Sequence, residues 1–127
     1  MEGNRKPLSF ENVVAQPEDA IDLAVAALLI AKDEYPDLDI HSNLEKIDKL
    51  AQKVSGQLTI FHKRSILTMI QQINVVLFEQ EGFYGNLRDY YDPRNSFLNE
   101  VLDRRTGIPI TLSLVYIEIG KRLGLDF

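Results

Sequence analysis

The chain has 127 residues, enough for one domain that buries roughly two thirds of the surface its unfolded form exposes, so no disulfide or metal staple is required. Apolar residues supply 45% and charged residues 26%, ordinary usage that argues against a disordered or membrane class, while a net charge of -5 argues against nucleic acid as a main partner. There is no cysteine, which removes disulfides, thiolate metal sites and thiol nucleophiles together.

The first residues, MEGNRKPLSF, lack the apolar run of a secretory signal, and the longest apolar stretch, Ala20 to Ala31, carries Asp22 and is too short to cross a bilayer. A cytoplasmic protein without a membrane partner is expected. Ser9 to Ala15 is a weak helical turn. Gln16-Pro17-Glu18-Asp19 then reads as a helix start, with proline at the first position and acids at the positive end of the dipole. The helix it opens runs to about Asp33, apolar on nearly every side, and Tyr35-Pro36 stops it.

Ser42-Asn43-Leu44-Glu45 has the form of a capping box. Behind it Leu44, Ile47, Leu50, Ala51 and Val54 make an apolar stripe opposite Glu45, Lys46, Asp48, Lys49 and Lys53, predicting an amphipathic helix that ends near Gly56. A third helix from about Lys63 aligns Ile66, Met69, Ile70, Ile73 and Leu77, with Gly82 as its cap. Phe83 to Asp92 is a loop rich in Gly and Tyr. Asp92-Pro93 or Ser96 opens the fourth helix, whose inner stripe is Phe97, Leu98, Val101 and Leu102, with an outer Glu100–Arg104 pair and Gly107 as its stop. Ile108-Pro109 opens the fifth. Ile110, Leu112, Leu114, Val115, Ile117, Ile119 and Leu123 surround it, leaving a narrow polar seam of Thr111, Glu118 and Arg122, so it must be covered on most sides. Gly124 caps it. Leu125 and Phe127 are still apolar, and we expect the natural fold to continue past them. The expected fold is all-α: one domain over residues 1–127, a compact bundle of about five helices, truncated at its C-terminus.

Residues 82 to 125, and above all Asp92-Pro93-Arg94-Asn95-Ser96 and Arg104-Arg105-Thr106-Gly107-Ile108-Pro109-Ile110-Thr111-Leu112, resemble the signature of the SirB family of transglutaminase-like proteins, relatives of which occur inside an F-box ubiquitin-ligase subunit. Leu28-Leu29-Ile30-Ala31 and Tyr35-Pro36-Asp37-Leu38 resemble the family's N-terminal helices. The resemblance implies the helical half of a transglutaminase-like, papain-like fold without its downstream β-sheet. In that superfamily a cysteine at the head of the central helix is the nucleophile, activated by the helix dipole and a histidine. The matching position here is Pro109; a slip of one gives Ile108 or Ile110, and of two, Thr111. The histidine and acid partners, and the family's tetratricopeptide-like helices, would lie beyond Phe127. The resemblance thus implies a non-catalytic, pseudoenzyme-like domain serving protein interaction or scaffolding with an unidentified partner. The alternative is a hydrolase or acyl transferase with a non-cysteine nucleophile, Thr111 being the nearest hydroxyl.

The candidate binding residues are Tyr90, Tyr91, Asp92, Arg94, Asn95, Arg104 and Arg105. The tyrosines, with Tyr84 and Asn86, either line a cleft or fold their rings onto neighbouring helices. The arginines either hold an anionic partner or pair with Glu100 and Asp103. Asn95 and Ser96 either orient a ligand or cap a helix. Glu118 is either an acid–base group or the partner of Arg122. His41 and His62 are surface side chains, since a metal site needs three or four convergent ligands; no metal, cofactor or catalytic residue is expected. The apolar helix Pro109 to Leu123 is expected either to be tucked inside by rearrangement or to be shared with a second copy, which makes self-association a partner expectation.

Overall fold

A computed structural model describes residues 9–16, 22–60 and 65–125. Six helices account for most of them: α1 (Phe10–Val14), α2 (Leu23–Glu34), α3 (Ile40–Leu58), α4 (Ile66–Asn74), α5 (Leu98–Arg104) and α6 (Pro109–Arg122). The all-α expectation holds, apart from one parallel pairing of two residues on each side, β1 (Tyr84–Gly85) beside β2 (Thr106–Gly107). Among the described residues no helix is long and apolar enough to cross a membrane.

Helix α3 is the spine. It packs against α2, α4, α5 and α6, and its buried stripe, with Ile47 and Val54 wholly enclosed, is the one its sequence predicts. Full burial of such side chains contributes about 1.5–3 kcal/mol each. Leu28 of α2, Ile73 of α4, Val101 of α5 and Ile119 of α6 meet them in one core, each fully buried.

Several boundaries differ from the expected ones. Helix α2 starts at Leu23, because Asp22 is extended and its carboxylate accepts from Val25 N–H; Pro17, Glu18 and Asp19 lie outside the described residues. Helix α3 starts before the Ser42 box: Asp39 is the cap, accepting from Ser42 N–H, and Asn43 is buried and donates to the Asp39 carbonyl. At its other end α3 runs through Gly56 to Leu58, since helical backbone tolerates a glycine that tertiary contacts hold in place. Helix α4 is capped by Ser65, Lys63 being outside the described residues, and leaves Ile66 exposed rather than on the inner face. It then widens into a π-type turn over Val75–Gln80, closed by Glu81 N–H to the Val76 carbonyl. Gly82, at φ +76°, ends it as expected.

The fourth helix divides in two. Asp92 caps a 3-10 turn, Pro93–Ser96, and α5 follows from Phe97. Its stop is Arg105 in the left-handed region at φ 57°, not Gly107. Gly107 is required for a different reason: a Cβ there would stand 2.7 Å from Thr111 Oγ1 and 3.2 Å from the Val101 methyls. The expected Glu100–Arg104 pair is replaced by longer-range partners, with Tyr35 donating its phenol to Glu100 at 2.8 Å. Helix α6 begins at Pro109, and Gly124 at φ +88°, two residues past its last residue Arg122, turns the chain out of it, as its sequence predicts.

Candidate functional site

The residues singled out by sequence converge where the loop after β1 returns through α5 and β2 to the head of α6. Asn95 is the hub. It is wholly buried, its amide donates to the Asp89 and Tyr90 carbonyls at 2.9 and 3.1 Å, and its Oδ1 accepts from Asn86 at 3.2 Å. Its own carbonyl accepts the Thr111 hydroxyl at 2.8 Å. Thr111 Oγ1 in turn accepts from Ile108 N–H at 3.2 Å, satisfying a donor that would otherwise be orphaned at the helix start. Asn95 therefore shapes the loop and pins it to α6.

Asp92 is the electrostatic centre of the loop. Its carboxylate accepts from Arg94 Nη2 at 2.6 Å, from Arg94 Nε at 3.0 Å and from Arg94 N–H at 2.9 Å, with Arg104 Nη2 behind at 3.8 Å. These Arg94 bonds lower its pKa from the ordinary 3.8 to about 2, and the same contact raises that of Arg94. Arg104 Nη1 is buried and meets no acceptor among the described residues. Among the described residues the arginines thus form ion pairs neither with Glu100 nor with Asp103: Arg94 and Arg104 turn to Asp92, and Arg105 to Glu81. Tyr90 and Tyr91 stack edge to face at 5.3 Å and remain in solvent, Tyr91 at 92% exposure, so these rings do not fold onto the helices. Six of the seven candidates share this loop and its base. Arg105 stands apart, 3.0 Å from Glu81 on the edge of a different cleft.

Helix α6 turns two of the three members of its polar seam inward, while Arg122 lies at the surface. Thr111 and Glu118 are buried, and Glu118 meets Arg122 at 3.0 Å and Lys121 at 3.4 Å, with Arg122 reaching on to Asp48 at 2.6 Å. The outward face is apolar: Pro109, Ile110, Ser113, Leu114 and Ile117 line an open depression of about 440 Å³, with Ile110 77% exposed. The helix is covered on most sides, as expected, with Val115 and Ile119 buried and Leu112 and Leu123 packed against the core, and is open on that face. His41 is exposed on the first turn of α3, and His62 lies outside the described residues. Among the described residues no group of three or more His, Cys, Asp or Glu is placed to hold a metal ion.

Sequence reading missed a second feature, a cleft lined by Lys46, Lys49 and Lys53 of α3 and by Arg105. Its lysines read as the solvated side of an amphipathic helix. Nothing local in the sequence places Arg105 opposite them.

Residues 41–127 match the family model described as Transglutaminase-like superfamily. A "UPF0162 protein" of Xylella fastidiosa (strain Temecula1) is 41% identical over 118 residues, 91% of this chain and 41% of that protein. The Homo sapiens "F-box only protein 21" is 30% identical over 118 residues, 93% of this chain and 17% of that protein, and a "UPF0162 protein" of Vibrio cholerae is 29% identical over 116 residues, 89% of this chain and 41% of that protein. The chain thus spans about two fifths of the length of its bacterial relatives, 41% in both cases. No solved structure gives a significant match. With most of its length inside the matched region, 41–127, and the helices and Asp92–Thr111 segment arranged as described, the chain belongs to the transglutaminase-like superfamily.

Proposed function

We propose that this chain is a non-catalytic helical part of a SirB-type transglutaminase-like protein, a pseudoenzyme region that serves protein interaction or scaffolding. The observation that carries the reading is the head of α6. By resemblance the superfamily's nucleophile belongs at Pro109, which has no reactive atom, and its neighbours Ile108 and Ile110 have none either. The nearest hydroxyl, Thr111, is 6% exposed and already donates to the Asn95 carbonyl, so the alternative of a threonine nucleophile would require breaking the contact that seats the loop. Incubation with p-nitrophenyl acetate and with a glutamine-donor transamidation substrate should give no release above buffer. Turnover that disappears in Thr111→Val would overturn the reading.

The interaction surface in this proposal is the outward face of α6, and its occupant a second copy of the chain. Ile110, Leu114 and Ile117 recur at i, i+4 and i+7, and Ser113 between them is small enough for two backbones to approach closely. Light scattering at two concentrations should show mass rising with concentration, and Ile110→Glu, at the most exposed position of the face, should abolish the rise. A strict monomer throughout would sink self-association.

A further inference from the structure

The cleft between α3 and the α5–β2 edge has an apolar floor of Leu50, Phe83 and Leu102, all buried, and a volume of about 390 Å³. That is within the range of small-molecule sites, roughly 300–1,000 Å³. The spacing i, i+3, i+7 sets Lys46, Lys49 and Lys53 along one wall. Arg105 faces them, directed there by the left-handed turn that ends α5. Two carboxylates share this space. Asp103 contacts Lys46, while Glu81 serves both Lys53, at 2.5 Å, and Arg105, at 3.0 Å. Among the described residues Lys49 has no ion-pair partner.

Four cations against two carboxylates leave the rim positive, in a chain whose net charge is -5. A positive rim over a low-dielectric floor concentrates field on the cleft and raises the local concentration of anions. Arg105 spends one contact on Glu81 and keeps further N–H donors, and its fork suits a carboxylate. We propose that this cleft binds a small organic carboxylate with an apolar body: the body lies on Leu50, Phe83 and Leu102, and the carboxylate is held by Lys49 with Arg105. The inference does not depend on the chain being non-catalytic or self-associating.

The test uses 2-naphthoate and its uncharged counterpart 2-naphthalenemethanol as probes, titrated into the isotopically labelled chain and followed by amide chemical shifts. Naphthoate should shift Lys49, Leu50, Phe83 and Leu102 and bind about fivefold tighter than the alcohol, the scale of a solvent-screened charge contact. Lys49→Gln should remove most of that advantage while leaving the remaining spectrum folded, and raising the salt concentration should weaken naphthoate but not the alcohol. Equal binding of the two probes, no binding of either, shifts centred on Pro109 to Ile117, or unchanged naphthoate affinity in Lys49→Gln would each overturn the proposal.

Discussion

Helices α3 and α6 use their polar residues in opposite ways. In α3 the apolar stripe is inside and the lysines outside, the arrangement expected of a helix at the edge of a core. In α6 two polar side chains, Thr111 and Glu118, are inside, while Ile110 faces solvent. The difference teaches that the polarity of a helix face does not by itself decide which face is buried. Thr111 points inward onto the Asn95 carbonyl, a satisfied polar group that can be enclosed at modest cost, whereas Glu118 accepts from Arg122 of its own helix through Oε1 and keeps a buried Oε2 without a hydrogen bond, Lys121 standing 3.4 Å away. The apolar face left over is open among the described residues, with Ile110 the most exposed of its side chains.

The comparison can be broken most decisively in the core. Ile47→Ala in α3 and Ile119→Ala on the inner side of α6 should each lower unfolding free energy by about 2–5 kcal/mol, whereas Ile110→Ala on the outer side should change it by less than about 0.5 kcal/mol. Urea denaturation checks all three, and a large loss at Ile110 would mean that face is already covered. Next in size is Thr111→Val, which keeps the shape but leaves the Asn95 carbonyl and Ile108 N–H unpaired. It should cost about 1–3 kcal/mol by the same measurement.

The smallest effect is confined to the loop. Asp92 has a folded-state pKa depressed to about 2 from 3.8, so the anchoring it provides is complete above 3.8 and is lost as pH falls through about 2. Hydrogen exchange of the Asp89 to Asn95 amides should therefore accelerate, after correction for intrinsic rates, as pH is lowered across that interval. Asp92→Asn should show faster exchange at neutral pH and no further acceleration on acidification.

Much of the fold was legible because its helix ends are set by local chemistry. Tyr35-Pro36, Gly82, Pro109 and Gly124 each impose a backbone conformation on their own, and the structure places them as read. Errors arose where two local signals competed: Asp39 and Ser42 are both good caps three residues apart, and the earlier one captured the helix. Arg105 adopts the left-handed turn that glycine would fill more cheaply, and Gly107, read as the stop, is instead needed where α5 and α6 come too close for a side chain. Legibility was lowest for partners distant in sequence. Tyr35 with Glu100, Arg122 with Asp48 and Lys46 with Asp103 leave no periodic trace, so the cationic cleft looked like ordinary helix surface; Asp92 with Arg94 is local, but helical spacing pointed the arginines to Glu100 and Asp103 instead.

The two-residue ladder between Tyr84–Gly85 and Thr106–Gly107 gathers both ends of the tyrosine excursion at one point. Its middle is tied separately, through Asn95, to the first turn of α6. The excursion is therefore closed at its base and pinned at its middle, so the exposed aromatic pair is carried on a frame that includes the first turn of α6.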